Sequence, residues 1–325
     1  MYRIFVTRSL PGNALDKIKD RCNVTVYPLD RTITKDELMT YLKEADAVIS
    51  MLSDPIDKEV IEAGKNLKVI ANYAVGYNNI DIEAATKSGI AVVNTPDVLT
   101  EASADLAWAL LLAVSRRVVE GDTMTRAGKF RGWAPELLLG VPVYGQTLGI
   151  IGAGRIGQAV ARRAKGFGMR VLYHNRKRLP EAIENDLGMS YAALDDLLAE
   201  SDFVSLHCPL TPETKHLIGP RELGLMKQTA VLINTARGPV VDEEALLQAL
   251  RKKTIFGAGL DVYEKEPLLT PGLADLPNVV LTPHIGSADT RTRLAMVDMV
   301  LNDIIAVLNN ERPQNLVNPE VWGRR

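Results

Sequence analysis

A glycine-rich turn at residues 152–157 limits the fold of this chain more than any other feature of the sequence. It reads Gly-Ala-Gly-Arg-Ile-Gly, follows the apolar run Thr147–Ile151, and opens a segment of helical character. Gly152 permits a tight turn, Gly154 lets the backbone approach a pyrophosphate, and Gly157 lets the helix pack close to the strand. The free N–H groups at the helix start attract an anion. A glycine-rich turn that binds nothing is the alternative, but the strand before it and the helix after it favour a dinucleotide site.

The turn after the next strand lacks the acidic residue that would bind the ribose 2′-hydroxyl of a dinucleotide. The strand at residues 170–174 continues instead as Asn175, Arg176, Lys177 and Arg178, three of them cationic. No carboxylate is present there to repel a 2′-phosphate, and an arginine fork suits phosphate well. A solvated basic turn is the alternative interpretation. At this position in the fold we expect a preference for NADP(H), with NAD(H) also accepted.

Short β-rich segments alternate with helical segments along most of the chain, which predicts parallel strand pairing. The first series places strands at 3–7, 24–27, 47–50, 69–72 and 91–94. The second series places strands at 147–151, 170–174, 203–206, 230–234, 258–262 and 279–282. One long helix is expected at 101–128 between the two series. Another is expected at about 291–309, returning to pack on the first series.

This pattern predicts an α/β protein with two doubly wound parallel-sheet domains. A Rossmann dinucleotide-binding domain at residues 100–286 is inserted in a flavodoxin-like substrate domain, which residues 1–99 and 287–325 form together. The length of 325 residues suits two domains of about 150 residues each.

The composition argues against several classes of protein. Hydrophobic residues make up 46% and charged residues 24% of the chain, as in ordinary globular proteins. A net charge of -2 gives no support for a nucleic-acid surface, and no apolar run reaches the about 18 residues of a membrane span. The first residues read as a strand and not as a signal peptide. Cys22 and Cys208 are too far apart for a metal site, so we expect no metal and a reducing, cytoplasmic location.

Three polar residues follow three different strands of the second series. Arg237 comes after 230–234, Glu266 after 258–262, and His284 after 279–282. Ligands of open α/β sheets bind beyond the carboxyl ends of the strands, so we expect the fold to bring these residues to one crevice. Each alone has an ordinary explanation: a surface ion pair, a loop carboxylate or a strand-end cap.

The chemistry of the three side chains is complementary. An arginine holds a substrate carboxylate with two parallel hydrogen bonds and polarises the neighbouring C2 oxygen. A histidine gives or takes the proton on that oxygen, and a glutamate bonded to its other ring nitrogen fixes the tautomer. The combination predicts hydride exchange between a nicotinamide and C2 of a small 2-keto or 2-hydroxy acid.

Four motifs resemble those of the D-isomer-specific 2-hydroxyacid dehydrogenases, and the resemblance spans nearly the whole chain. They stand at residues 152–157, 232–238, 259–267 and 282–286. The resemblance implies that Arg237 binds and orients the substrate, that His284 is the acid/base, and that Glu266 pairs with it. Within the family the pattern is most similar to glyoxylate/hydroxypyruvate reductases, which form glycolate or D-glycerate.

The resemblance also implies further contacts. The substrate would meet Leu52 and the backbone N–H groups of Val75 and Gly76. The cofactor would contact Thr100, Gly152, Gly154, Arg155, Ile156, Gly157, Asn175, Arg176, Lys177, Thr235, Ala236, Asp261, His284 and Gly286. A homodimer is expected, with the 101–128 helix and the loop around Trp133 in its interface; packing of Trp133 inside its own chain is the alternative.

Two other functions remain open at this point. A D-lactate-type or longer-chain 2-ketoacid dehydrogenase would carry the same three residues, and Leu137 leaves the size of the pocket undecided. A dinucleotide-sensing corepressor without catalysis would also retain them. A comparison of turnover on small and bulky 2-keto acids separates these functions.

Overall fold

The computed structural model describes residues 1–324, which form twelve strands and eleven α-helices. The strands are β1 (Tyr2–Val6), β2 (Cys22–Val26), β3 (Ala47–Ser50), β4 (Val69–Asn72), β5 (Ala91–Val93), β6 (Thr147–Ile151), β7 (Arg170–His174), β8 (Met189–Tyr191), β9 (Phe203–Leu206), β10 (Val231–Asn234), β11 (Gly257–Leu260) and β12 (Val279–Leu281). The helices are α1 (Lys35–Leu42), α2 (Lys58–Ala63), α3 (Ile82–Lys87), α4 (Thr100–Ser115), α5 (Val118–Arg126), α6 (Arg155–Ala164), α7 (Glu181–Leu187), α8 (Leu194–Glu200), α9 (Pro220–Leu225), α10 (Glu243–Arg251) and α11 (Thr290–Leu308).

The chain divides into two compact units. The first unit comprises Met1–Leu99 and Ser287–Arg325, and the second comprises Thr100–Gly286. The first unit holds a five-stranded parallel sheet in the order β2-β1-β3-β4-β5. Every residue of the central strands β3 and β4 is buried, as expected of a parallel sheet that helices cover on both faces.

The second unit holds a seven-stranded parallel sheet in the order β12-β11-β10-β9-β6-β7-β8. The strand order reverses between β6 and β9, and ligands of open α/β sheets bind at the carboxyl ends of the strands at such a switch point. The two parallel sheets confirm the predicted α/β fold class. The sequence did not reveal β8, because this edge strand is only three residues long and two of the three are exposed.

The single helix predicted at 101–128 is wrong, because the structure divides it into α4 and α5. Arg117 between them has a left-handed backbone with a φ of 52°. The carbonyl of Ser115 accepts a hydrogen bond from the N–H of Val141 at 2.9 Å, and Gly140 lies so close to it that no Cβ would fit. The segment at Gly140 and Val141 therefore occupies the Ser115 carbonyl, which a continuing helix would need as a hydrogen-bond acceptor. No residue of α5 is buried.

Candidate active site

The glycine-rich turn has the geometry that the sequence predicts for an anion site. Gly152 has a φ of 96°, and a Cβ there would collide with the backbone of Cys208. A Cβ on Gly157 would collide with the carbonyl of Gly152, so the start of α6 packs tightly on the end of β6. The space beside Gly154 is open, and this N-cap residue supplies no side-chain acceptor to the first turn of α6. The turn therefore leaves room for a phosphate at the helix N-terminus.

In the basic turn after β7, Asn175 and Arg178 form hydrogen bonds that shape the turn. Asn175 Oδ1 accepts a hydrogen bond from the N–H of Ala153 at 2.7 Å, so Asn175 braces the glycine-rich turn. Arg178 is bound to the buried carboxylate of Glu184 at 2.8 and 2.9 Å. All three cations that the sequence places here are exposed, but only Arg178 forms an ion pair with a buried carboxylate within residues 1–324, and it thereby stabilises the turn.

The ion pair with Arg178 and a hydrogen bond from the Tyr173 hydroxyl lower the pKa of Glu184 to about 2. Tyr173 in turn accepts a hydrogen bond from the N–H of Leu179 at 2.8 Å. The contacts among Arg178, Glu184 and Tyr173 thus stabilise the turn between β7 and α7.

His284 and Glu266 are brought together as the sequence predicts. His284 Nδ1 lies 2.9 Å from Glu266 Oε2, and the other Glu266 oxygen accepts from the N–H of Tyr263 at 3.1 Å. Burial alone would raise the pKa of Glu266, but the hydrogen bond and charge of His284 outweigh it and hold that pKa below its ordinary value. The carboxylate therefore stays ionised at neutral pH, and the other ring nitrogen of His284 has no partner within residues 1–324.

Arg237 lies in the turn after β10, close to the same carboxylate. Desolvation lowers the pKa of its guanidinium, and the charge of Glu266 acts in the opposite direction. The turn is shaped by Asn234, whose side chain accepts from the N–H of Ala236 and donates to the carbonyl of Arg237, both at 3.0 Å. Thr235 in the same turn has a buried hydroxyl without a hydrogen-bond partner in the described chain. This orphaned hydroxyl and the open space at Gly154 fit a bound dinucleotide.

Comparison with known proteins identifies the family. The family model "D-isomer specific 2-hydroxyacid dehydrogenase, NAD binding domain" matches residues 108–286. A glyoxylate reductase of Thermococcus kodakarensis is 52% identical over 323 residues, which cover 98% of this chain and 97% of the relative. The chain belongs to the D-isomer-specific 2-hydroxyacid dehydrogenases. The family predicted from the sequence motifs is confirmed.

Two solved structures of similar proteins agree with this fold. A protein of Thermus thermophilus superposes on this 2-hydroxyacid dehydrogenase with a TM-score of 0.91 at 51% identity, covering 97% of this chain and 99% of its own. An NADPH-dependent glyoxylate/hydroxypyruvate reductase of Sinorhizobium meliloti, in complex with NADP and malonate, superposes with a TM-score of 0.86 at 33% identity. The match covers 98% of this chain and 97% of that one.

Asp261 has a role in the dehydrogenase that the sequence did not reveal. Its Oδ1 accepts from the Thr282 hydroxyl at 2.6 Å and the Ile285 N–H at 2.8 Å, and its Oδ2 accepts from the Gly286 N–H at 2.8 Å. These bonds clamp the turn that carries His284, whose φ is 54°. Burial raises the pKa of Asp261 despite its donors. The family resemblance implied only a cofactor contact for Asp261, and for its hold on the His284 turn the sequence offers no more than an acidic residue directly after a buried strand.

The loop that carries Glu266 is braced by a second carboxylate, which sequence reasoning also missed. Glu243 is 3% exposed and accepts from the Glu264 N–H and the Thr270 hydroxyl, both at 2.6 Å. Glu264 in turn pairs with His216 Nε2 at 2.7 Å. The acidic run at the start of α10 resembles an ordinary helix start, so nothing in the sequence distinguishes Glu243 from a solvent-exposed residue.

Of the other three histidines, His216 also contacts a carboxylate, that of Glu264, whereas His207 and His174 do not. His207 has no charged partner within residues 1–324; its Nε2 lies 2.8 Å from the Ser205 hydroxyl, and burial lowers its pKa to about 4. His174 Nδ1 bonds the carbonyl of Ala192 at 3.0 Å. In the described part of the chain no group of His, Cys, Asp and Glu side chains could hold a metal ion.

The predicted substrate contacts Leu52, Val75 and Gly76 lie in the first unit, in the loops after β3 and β4. The side chain of Asn79 joins these loops, because its Nδ2 donates to the carbonyls of Met51 at 3.1 Å and Asp54 at 3.0 Å. Thr100, another predicted cofactor contact, is the first residue of α4.

Proposed function

We propose that this dehydrogenase reduces glyoxylate or hydroxypyruvate at C2, forming glycolate or D-glycerate. The observation that carries the proposal is the contact between His284 and Glu266, which lie with Arg237 in the same unit as an anion-binding glycine turn. The relative from Thermococcus kodakarensis is a glyoxylate reductase at 52% identity, which supports a small 2-keto acid as substrate.

In the proposed reaction His284 donates a proton to the C2 oxygen. Glu266 accepts a hydrogen bond from the opposite ring nitrogen, which keeps the donor nitrogen directed at the substrate and stabilises the charged ring. Arg237 binds the substrate carboxylate and polarises the C2 oxygen. The hydride to C2 would come from a nicotinamide held by residues of the second unit. Asp261 keeps His284 in place by holding the N–H groups of Ile285 and Gly286.

Residues of the second unit would hold the cofactor. We propose that the residues at the start of α6, including Arg155 and Ile156, bind the pyrophosphate. Thr100, Thr235, Ala236 and Asp261 would surround the nicotinamide end. Arg176 and Lys177 are exposed after β7 without a neighbouring acid in the turn, which supports a preference for NADP(H) over NAD(H).

A panel of substrates and cofactors tests the function. The kcat/KM values for glyoxylate, hydroxypyruvate, pyruvate and phenylpyruvate are measured with NADPH and with NADH. We expect the highest value for glyoxylate or hydroxypyruvate with NADPH. A maximum for phenylpyruvate would identify a longer-chain dehydrogenase, and turnover of none of these acids would favour a dinucleotide sensor.

We also propose a homodimer in the cytoplasm. Trp133 is 85% exposed and Phe130 is 54% exposed, so the alternative that Trp133 packs inside its own chain is wrong. An apolar surface of this kind after the exposed helix α5 supports a contact with a second copy.

Both cysteines are free and buried, which suits a reducing compartment. No helix in residues 1–324 has the length and apolar character needed to cross a membrane.

A further inference from the structure

The backbone carbonyls of residues 74–76, in the loop after β4, are all hydrogen-bonded to the interior of the first unit. In chain order they accept from the N–H of Thr95 at 2.9 Å, from Asn94 Nδ2 at 2.7 Å and from Asn72 Nδ2 at 2.7 Å. Two of the three donors are therefore side-chain amides of asparagine. Asn72 is fully buried and Asn94 is 8% exposed.

The orientation of these carbonyls fixes the direction of the N–H groups that follow them. In a trans peptide the C=O group and the next N–H group point in opposite directions. The N–H groups of Val75, Gly76 and Tyr77 therefore point away from the interior, and none of them donates a hydrogen bond within residues 1–324. Successive N–H groups directed to one side form a concavity that binds an anion.

We propose that Asn72 and Asn94 are positioning residues that hold this segment as a cradle of three N–H groups for the substrate carboxylate. The N–H of Tyr77 is the third donor, beyond the N–H groups of Val75 and Gly76 that the family resemblance implies. The inference rests on the proposed function, which identifies the anion as the carboxylate of a small 2-keto acid.

The surroundings of Asn72 prevent its amide from turning away. Its Oδ1 accepts from the Ser50 hydroxyl at 3.0 Å and from Asn79 Nδ2 at 3.3 Å, which leaves Nδ2 directed at the Gly76 carbonyl. Asn79 also holds the carbonyl of Met51, next to Leu52. The network thus fixes the cradle and the second predicted substrate loop in one arrangement. A buried, fully bonded network of this kind specifies a single conformation.

Substitution of the two asparagines by aspartate tests the cradle. Asn72→Asp and Asn94→Asp keep the size of each side chain but replace the donor by a carboxylate that repels the carbonyl. We expect KM for glyoxylate to rise about tenfold in each, the effect of losing one hydrogen bond to a charged group. The kcat and the KM for NADPH should change little, because the lost contact binds substrate and transition state alike.

Asn318→Asp is the matched control. Asn318 is also a buried asparagine of the first unit, and its Nδ2 donates to the Thr86 hydroxyl and the Ile90 carbonyl, both at 2.9 Å. Its substitution should lower the unfolding midpoint without a rise in KM for glyoxylate. Equal KM values in all three variants would overturn the proposal, since a general loss of packing would then explain every effect.

A binding experiment on the wild-type enzyme decides the matter if the variants do not fold. The NADP⁺-saturated protein, labelled with ¹⁵N, is titrated with oxalate, a small carboxylate. We expect the amide resonances of Val75, Gly76 and Tyr77 to shift together, and a stationary Tyr77 resonance would overturn its role as third donor. The titration does not depend on turnover, so a failure of the proposed reaction is distinguishable from a failure of the cradle.

Discussion

Arg176 and Arg178 show how two identical residues, two positions apart, acquire different roles. Both side chains are exposed, but Arg178 is bound to the buried carboxylate of Glu184, whereas Arg176 forms no such ion pair within residues 1–324. The sequence shows three neighbouring cations and gives no means of separating them. The distinction depends on Glu184, which becomes a neighbour of Arg178 only because α7 folds back on β7.

Substitution of each arginine by alanine separates the two roles. Arg176→Ala should lower kcat/KM for NADPH by about tenfold, with little change for NADH, because one charge-assisted contact to the 2′-phosphate is lost. Arg178→Ala should lower the unfolding midpoint and leave the ratio of the two cofactors near the wild-type value. Steady-state kinetics with both cofactors and a thermal melt check the pair. Equal loss with NADPH and NADH in Arg176→Ala would contradict the proposed preference.

The stabilising effect of Arg178 should depend on pH. The pKa of Glu184 is lowered to about 2, so its ion pair contributes stability above its ordinary pKa of 4.5 and loses it as pH falls toward 2. The difference in unfolding midpoint between wild type and Arg178→Ala should therefore be constant from pH 7 to about 5 and shrink below about 4.5. A difference that grows on acidification would refute this assignment.

The site residues that carry charge were predictable from the sequence, but the residues that hold them were not. Arg237 and His284 follow buried strands, so the rule that ligands meet the carboxyl edge of a parallel sheet locates them. Glu243 acts through the N–H of Glu264 and the hydroxyl of Thr270, both more than 20 residues away in the chain. Contacts of this kind depend on how the folded backbone brings distant residues together. A single sequence gives no signal of that arrangement.

At the scale of elements, the turn after β12 depends on the end of β11. Asp261 and the Thr282 side chain bridge these neighbouring strand ends, and the same carboxylate holds the N–H groups on the far side of His284. The left-handed backbone of His284 is unfavourable for a residue with a side chain. The clamp offsets this cost.

Asp261→Asn should therefore loosen the turn. An amide supplies one acceptor and places its NH₂ group against a donor, so we expect the free energy of unfolding to fall by about 1–3 kcal/mol. The kcat should fall at least about tenfold as His284 loses its position. Denaturant titration and steady-state kinetics measure both effects.

Asp303→Asn provides the matched comparison. Asp303 is 3% exposed in the first unit and accepts from the N–H of Gln314 and the side chain of Asn315. Its substitution should cost similar stability and leave kcat unchanged. A parallel loss of kcat in both variants would mean that Asp261 matters only for folding.

The elements themselves were predicted where apolar periodicity was strong. The second predicted series matched every strand of the larger sheet except β8, whose exposed residues carry no apolar pattern. The division between α4 and α5 was not predictable either. It follows from the approach of Gly140 to Ser115, and helical periodicity continues through the break.

At the scale of the whole molecule, the exposed apolar side chains after α5 predict association. Trp133→Asp should weaken the proposed homodimer, because a carboxylate cannot be buried there without a partner. Leu29→Asp is the control, since Leu29 is 48% exposed in the first unit and should tolerate the charge. Light scattering after size-exclusion chromatography gives the mass of each variant. A wild-type protein with the mass of one chain would contradict the dimer.

The clamp at Asp261 limits how this chain could be recombined with its relatives. The second unit ends at Gly286, and the N–H of Gly286 is itself one of the three donors to Asp261. A chimera joined before Gly286 would take this donor from a foreign chain, whereas one joined after Ser287 would keep the native turn. The groups proposed to move the proton and the loops proposed to grip the acid lie in different units. Exchange of the first unit alone, at junctions after Leu99 and Ser287, would thus leave the acid–base pair and the hydrogen bonds of Asp261 intact.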